Sequence, residues 1–406
     1  MTAKYGRTGD QLGGGRVLQG YRVVELAIWV AGPASGGLMA DWGADVIKVE
    51  SPEGDPCRRV FGAIGLADQP GVPPFELDNR GKRSVVLDLA TRAGREAMDK
   101  LLAEADVFLT NLRPKALARL GLDPESVCAR FDRLVYGAVT GYGMEGPDAN
   151  RPGYDVGAFW ARAGHAHSIV PPDQMPPAPR SAVGDHTTAI TITAAILAKL
   201  LERERTGRGG LVQTSLLRTG IYTLGWDIGV QLRFGRRETT RPRQRSRGPL
   251  LNCYRAADGR GFWLIGLEAD RHWPGLVAAL ARPDLASDER FVGARDRLTN
   301  SEALIAILDE IFAARPMTEW CERFDAHDVW WAPINSIPDV IADAQAIAAG
   351  AFVDMTPRPG EAAYRAVASP VDSGGMVLAP GPVPALGEHT DEVLREFGID
   401  MTESIE

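Results

Sequence analysis

The sequence predicts an α/β protein in which a parallel sheet, covered by helices on both faces, is joined to a smaller α+β domain. Strand-length apolar runs alternate with amphipathic helical runs over the first part of the chain, which is the pattern of a parallel sheet. A length of 406 residues exceeds one ordinary core and suggests about two domains. The character changes beyond Asp155, and residues 252–330 read as a hairpin-like pair followed by several helices.

Residues 1–18, with Gly13, Gly14 and Gly15, read as a flexible leader. The large domain is expected over 19–225. Its first unit is the apolar run Val23 to Ala27, a helix with Pro33 near its start and Gly43 past its end, and the run Asp45 to Glu50. Ser84 to Leu89, an amphipathic helix over 92–104, and Asp106 to Thr110 repeat the pattern, and Arg133 to Val139 is another strand. A helix to about Gly164, a proline-rich loop from Pro171 to Pro179, a long helix over 187–205 and a strand near 211–215 follow. A further helix is expected to run to about Leu232. Residues 226–250 are expected to link the domains, because Arg236 to Arg247 holds six arginines and no apolar period. The small domain is expected over 251–330, with helices at 302–313 and 318–326, and the chain is expected to return to the large domain over 331–406.

Composition narrows the function. The chain is 45% hydrophobic and 24% charged, with a formal net charge of −8, so it has the balance of a soluble protein and little attraction for nucleic acid or anionic membrane. Cys57, Cys128, Cys253 and Cys321 are scattered without a CxxC pair, which suggests reduced thiols in the cytoplasm rather than disulfides or a zinc site. No run reaches the length of a bilayer span. Gly32, Gly36 and Gly37 lack the GxGxxG spacing of an NAD site, and neither a Walker loop nor an HExxH pair occurs. No metal and no NAD are expected.

Asp185 is the leading catalytic candidate. It stands where a proline-rich loop turns into the long helix. There the unpaired amides and the positive end of the dipole favour an ionised carboxylate, and such a carboxylate is a usable nucleophile toward an activated acyl group. A plain helix cap explains the same position. Tyr154 and Asp155 open another helix and aim a phenol and a carboxylate at one place, or serve only as a packing aromatic and a first-turn acid. His186 follows Asp185 directly, about 100° round a helix, so no relay between the two is expected. His165 and His167 read as surface or core residues. Basic loops at Asn79 to Ser84 and Asn111 to Arg119 lie where an open sheet lines a ligand crevice, or are solvated surface.

Several segments in order resemble the family III CoA-transferases, the formyl-CoA and crotonobetainyl-CoA transferase family, which also contains the α-methylacyl-CoA racemases. They are Ala31-Gly32-Pro33, Asp41 to Glu50, Asn79 to Ser84, Asn111 to Pro114, Gly141-Tyr142-Gly143, Arg151 to Asp155, Gly184-Asp185, Thr206 to Gly209 and Leu386 to Leu394. The resemblance implies a Rossmann-like large domain with its sheet built from both chain ends, a smaller domain between them, and an interlocked homodimer. It further implies coenzyme A as substrate and product, an acyl-CoA and a free carboxylic acid as partners, and Asp185 as a nucleophile that passes through an aspartyl anhydride and an aspartyl-CoA thioester. CoA contacts would fall on Lys48, Lys82, Arg83, Asn111, Leu112, Arg113 and Arg119, and the amides of Ala31 and Gly32 would hold the oxyanion.

Within that family the racemases carry a His where this chain has Tyr154, and a phenol with a pKa of about 10 is a poor base. The formyl-CoA transferases have a Gln at the place of Val30 and a tetraglycine loop whose nearest counterpart here is Arg247 to Leu250. Trp29, Val30, Phe159 and Trp160 suggest a more apolar acyl group than formate or oxalate. A CoA-transferase is therefore expected, with a racemase or a non-catalytic acyl-CoA binding protein as alternatives.

Overall fold

The computed structural model describes residues 17–69, 71–235, 240–355, 362–371 and 380–400. All but the last two residues of the expected leader lie outside the described residues. The chain divides into two compact units, one of Met1–Ala166, Pro177–Arg237 and Gly350–Glu406, the other of His167–Pro176 and Glu238–Ala349.

The first unit is built on β1 (Arg22–Leu26), β2 (Asp45–Glu50), β3 (Arg83–Val86), β4 (Val107–Thr110), β5 (Val135–Thr140) and β6 (Gly210–Ser215). They lie in the order β3-β2-β1-β4-β5-β6, every neighbouring pair parallel. Because helices cover both faces, the inner strands are buried along nearly their whole length rather than on alternate residues: Val23, Val24, Ile47, Phe108 and Val135 are buried, and so are the charged Glu25 and Lys48 among them. The order reverses between β1 and β4, where the outgoing loops part and an open sheet binds its ligands. One of these loops enters helix α1 (Ala31–Asp41) and the other begins at Asn111.

The expectation of a sheet drawn from both chain ends is corrected, since all six strands lie between residues 22 and 215. The C-terminal part adds instead an antiparallel pair, Phe352–Met355 with Tyr364–Val367, and the helix Thr390–Glu396, which seats Val393 in the core. Tyr364–Val367 is largely exposed and Phe352–Met355 is half-buried apart from the exposed Asp354 and the buried Met355, and neither has the continuous burial of an inner parallel strand.

Two further helices of the first unit matter for the site: α2 (Pro73–Asn79) and α3 (Val183–Thr206). The start of α3 falls four residues before the expected Thr187, after Ala182 turns at φ +65°.

The second unit is α+β. A three-stranded antiparallel sheet of β7 (Leu251–Arg255), β8 (Gly261–Ile265) and β9 (Trp331–Pro333) shares a core with the helices Ala269–Leu280, Ser301–Phe312 and Met317–Ala326. Tyr254, Phe262, Phe312, Trp320 and Phe324 fill that core. Because β9 pairs with β8, through Phe262 opposite Pro333, this unit extends past residue 330 to Ala349. Such long-range pairing leaves no local trace in sequence. The expected linker begins as the helix Gly225–Phe234, and residues 236–239 lie outside the described residues. Arg243 is not a solvated loop residue: its guanidinium pairs with Asp309 and lies 5.2 Å over the Tyr254 ring.

Candidate active site

The loop between β1 and α1 is held from both sides. Asn111, just past β4, accepts the Ile28 amide at 3.0 Å and donates to the Ile28 carbonyl at 2.6 Å. Asp55 accepts the amides of Trp29 at 3.0 Å and Cys57 at 2.9 Å, which fixes Trp29 at φ +65°, a conformation that a bulky residue seldom adopts. Ala31 and Gly32 then open α1, where first-turn amides have no partner within the helix. Only glycine fits at 32, because a Cβ there would stand 2.6 Å from the Ala27 Cβ. Tyr154 lies edge-on to Trp29, ring centres 5.6 Å apart.

Beneath this loop lies an ion-pair network that engages three of the residues expected to contact CoA. Lys48 donates to Glu25 at 3.0 Å, Asp55 at 3.0 Å and the Ala27 carbonyl at 2.9 Å. Lys82 donates to the other Glu25 oxygen at 2.7 Å, Asn79 at 2.9 Å and the Pro33 carbonyl at 2.8 Å. Both ammonium groups are fully buried, and an ammonium has only three donors. Nothing remains for a phosphate. Burial works against the charge on Lys48, yet Glu25, Asp55 and Glu50 overrule it and hold its pKa above the usual value. Burial brings Lys82 down to about 8 against the pull of Glu25. Arg83 is likewise engaged, by Asp45, Glu392 and Glu396.

On the β4 side, Leu112 is half-buried with its amide on Thr110 Oγ1 at 3.2 Å. Arg113 is exposed, with one contact of 3.3 Å to the Asn150 carbonyl. Arg119 is exposed and makes no ion pair among the described residues.

Asp185 lies three residues past the N-cap of α3 and caps nothing; no described side chain or amide donates to it. Gly184 lets the helix start lie flat on Phe159, whose Cγ would be 2.5 Å from any added Cβ. Burial, and then the charge of Asp155, push Asp185 up to about 7, with His186 opposing. The expectation that the helix start keeps this carboxylate fully ionised at neutral pH is corrected, because a dipole effect of about 1 kcal/mol or less is outweighed by desolvation and a like charge.

Asp155 is buried and precedes a stretch of π-helix, Val156–Arg162, a rare form that is frequent at functional sites. Burial raises its pKa, with the amides of Gly184, Val156 and Ala182 opposing. One of its oxygens, Oδ2, is buried without a hydrogen bond.

The fourth member of the cluster was not legible in sequence. His186 Nε2 lies 3.1 Å from Oδ1 of Asp78, a buried residue on α2. The separation of 108 positions along the chain hides the pair, and the only local hint is that Asp78 stands directly before the Asn79-Arg80-Gly81-Lys82 turn. Burial lowers and Asp78 raises the imidazole pKa, the net direction being upward. Cys57 borders the same cluster, its thiol pushed up to about 12 by burial and then by Asp55 and Asp78, with Asp185 adding to it. His165, in contrast, stacks on Phe159 at 4.5 Å and bonds to Thr223 and the Gly220 carbonyl.

Comparison with known proteins decides the family. Residues 18–390 match the family described as CoA-transferase family III. The chain belongs to that family. It is 30% identical to (R)-2-hydroxy-4-methylpentanoate CoA-transferase of Clostridioides difficile, over 95% of this chain and 96% of that one. It is 32% identical to cinnamoyl-CoA:phenyllactate CoA-transferase of Clostridium sporogenes, over 94% of this chain and 93% of that one. Among solved structures, a CAIB/BAIF family protein from Brucella suis superimposes with a TM-score of 0.81 at 32% identity, covering 94% of this chain and all of that one. This chain is thus an enzyme, a family III CoA-transferase with CoA as its substrate. Among the described residues no cluster of His, Cys, Asp and Glu is arranged to hold a metal ion. None of the described helices is long and apolar enough to cross a membrane.

Proposed function

We propose that this CoA-transferase moves CoA from an acyl-CoA to a free carboxylic acid, with Asp185 as the covalent nucleophile. The observation that carries the proposal is the state of Asp185: half-buried, accepting no hydrogen bond from the described residues, and pushed up to about 7 beside Asp155. A carboxylate withdrawn from water beside a like charge is a stronger nucleophile than a fully solvated one. Its attack on the thioester carbonyl forms a neutral anhydride and releases CoA thiolate, so the repulsion from Asp155 disappears as the bond forms. The thiolate then attacks the aspartyl carbonyl, leaving aspartyl-CoA and the first carboxylic acid. The acceptor carboxylate repeats the two steps in reverse.

The amides of Ala31 and Gly32 would hold the tetrahedral oxyanion, worth roughly 3 kcal/mol per donor, and Asn111 fixes the loop that presents them. Leu112, Arg113 and Arg119 would meet the CoA nucleotide, since Arg119 and Arg113 are exposed guanidiniums suited to phosphate. Tyr154 and Trp29 would bound the acyl group together with Phe159 and Trp160. Four free cysteines suit a reducing cytoplasm, and an interlocked homodimer is the proposed assembly. A racemase would need a second base at 154, and a phenol with a pKa of about 10 is unsuited to it.

The test is peptide mass spectrometry of enzyme quenched during turnover, read at the peptide that contains Asp185. An acyl or CoA adduct that hydroxylamine removes is expected on the native chain. In Asp185→Asn the adduct should vanish and CoA exchange fall at least ~10³-fold. Retained exchange in that variant would overturn the proposal.

A further inference from the structure

Asp78 and His186 form a carboxylate–imidazole pair that the aspartate chemistry described above leaves unused. Asp78 is almost wholly buried, while His186 keeps 40% of its side chain exposed. The anchored nitrogen is Nε2, at 3.1 Å from Oδ1 of Asp78. The other nitrogen, Nδ1, bonds to none of the described residues. A buried carboxylate that fixes one nitrogen and the tautomer of an imidazole, with the second nitrogen open, is the arrangement of a proton-transfer histidine. It stands one residue from the proposed nucleophile.

Resting on the reading of Asp185 as nucleophile, we infer that His186, oriented by Asp78, is a further catalytic residue that gives a proton to the CoA sulfur and takes it back. The need arises from the reaction itself. When Asp185 attacks, the carbon–sulfur bond breaks and its electron pair goes to sulfur, close to the carboxyls of Asp78 and Asp155, whose charges already act on Asp185. A free thiolate there is one more anion. Imidazolium His186 transfers the Nδ1 proton to sulfur, which leaves CoA thiol and a neutral imidazole whose Nε2–H still bonds Asp78. For the second step the imidazole removes that proton, and the regenerated thiolate attacks the anhydride. Protons balance over each half-cycle, and no outside acid is required.

The surrounding charges favour this use. The groups acting on His186 are Asp78 from α2, Asp185 from its own helix and Asp155 from the start of the π-helical stretch, and all three raise its pKa. Once Asp185 is acylated it is neutral, and one of those three supports for the imidazolium is gone. The proton is therefore released more readily at the step where sulfur receives it.

His186→Gln retains a donor for Asp78 but cannot shuttle a proton, and Asp78→Asn keeps the shape while removing the orienting charge. Both are compared with the native chain for thermal unfolding, KM and the pH dependence of kcat in CoA exchange, and for the rate of Asp185 acylation in a single turnover. In His186→Gln, kcat should fall ~10²-fold or more, with KM for acyl-CoA within about twofold and the alkaline limb of the profile abolished. In Asp78→Asn the alkaline limb should survive and move to lower pH, because the imidazole has lost the partner that raises it. A His186→Gln enzyme that acylates Asp185 at the native rate, or keeps the alkaline limb, overturns this inference and leaves the nucleophile reading intact. Absence of any adduct on Asp185 in the native chain is the separate failure of that reading.

Discussion

Asn111 grips Ile28 by both of its backbone groups, accepting from the amide at 3.0 Å and donating to the carbonyl at 2.6 Å. The two residues stand on opposite sides of the switch point, one past β4 and the other past β1. One primary amide thus ties together the loops that flank the crevice, and its Cγ lies only 3.2 Å from where a Gly32 Cβ would be.

An aspartate at 111 is close in shape and reverses half of this bond. It still accepts from the Ile28 amide but sets an oxygen against the Ile28 carbonyl, where a donor is needed. Asn111→Asp is therefore expected to cost roughly 1–3 kcal/mol and to lower kcat more than it raises KM, because the oxyanion amides shift with the loop. Urea unfolding and steady-state kinetics on the same preparation test both parts.

The acid limb of the kcat profile should belong to Asp185, with Asp155 as its tuning residue. Asp155 is the largest charge effect raising Asp185 to about 7, and activity needs the ionised form. Native kcat is thus expected to rise with pH through about 7, and in Asp155→Asn the rise should come at lower pH. Asp155 also raises His186, so the alkaline limb should move the same way. Because the groups interact, the two limbs report the pair rather than single residues. An unmoved acid limb in Asp155→Asn would remove Asp155 from this role.

These effects show where local sequence is informative. Apolar strand-length runs alternating with helical ones, Pro33 near a helix start and Gly43 after its end revealed the parallel sheet, because they are near-neighbour rules. Asp185 was legible as a helix-start acid for the same reason. The ionisation of Asp185 was not, since it depends on Asp155, thirty positions away in the chain, and on burial. Lys82 read as a phosphate ligand because its turn is basic and Lys48 because of the family resemblance, yet Glu25 claims both from 57 and 23 residues away. The pairing of β9 with β8 and of His186 with Asp78 is equally non-local.

Stability should carry the sign of the Asp185 shift. Its pKa is about 7 in the fold against an ordinary 3.8, so the native chain binds more protons than the unfolded chain between those values. Stability attributable to this group therefore falls as pH rises from about 4 to 7, and the full penalty remains above 7. Asp185→Asn should be more stable than the native chain at pH 8, on the order of 2 kcal/mol after allowing for solvent screening, and equal to it near pH 3.5. Chemical denaturation at the two pH values checks this. A variant less stable at pH 8 would contradict the raised pKa.

Lys82 and Arg119 separate structural from ligand-facing charge. Removing Lys82 leaves Glu25 with one cation, Lys48, and breaks a fully buried pair, a change that costs about 3–5 kcal/mol when one partner is lost. Lys82→Met is expected to lower the midpoint of urea unfolding sharply, with CoA affinity unchanged in whatever fraction remains folded. Arg119→Ser should do the opposite, since an exposed guanidinium without an ion-pair partner among the described residues contributes little to the fold. Its loss should leave unfolding unchanged and weaken CoA binding several-fold, with a smaller dependence on salt. Calorimetric titration with CoA at two ionic strengths reads the second effect, and equal affinity for Arg119→Ser and the native chain would place the nucleotide elsewhere than on the β4 loop.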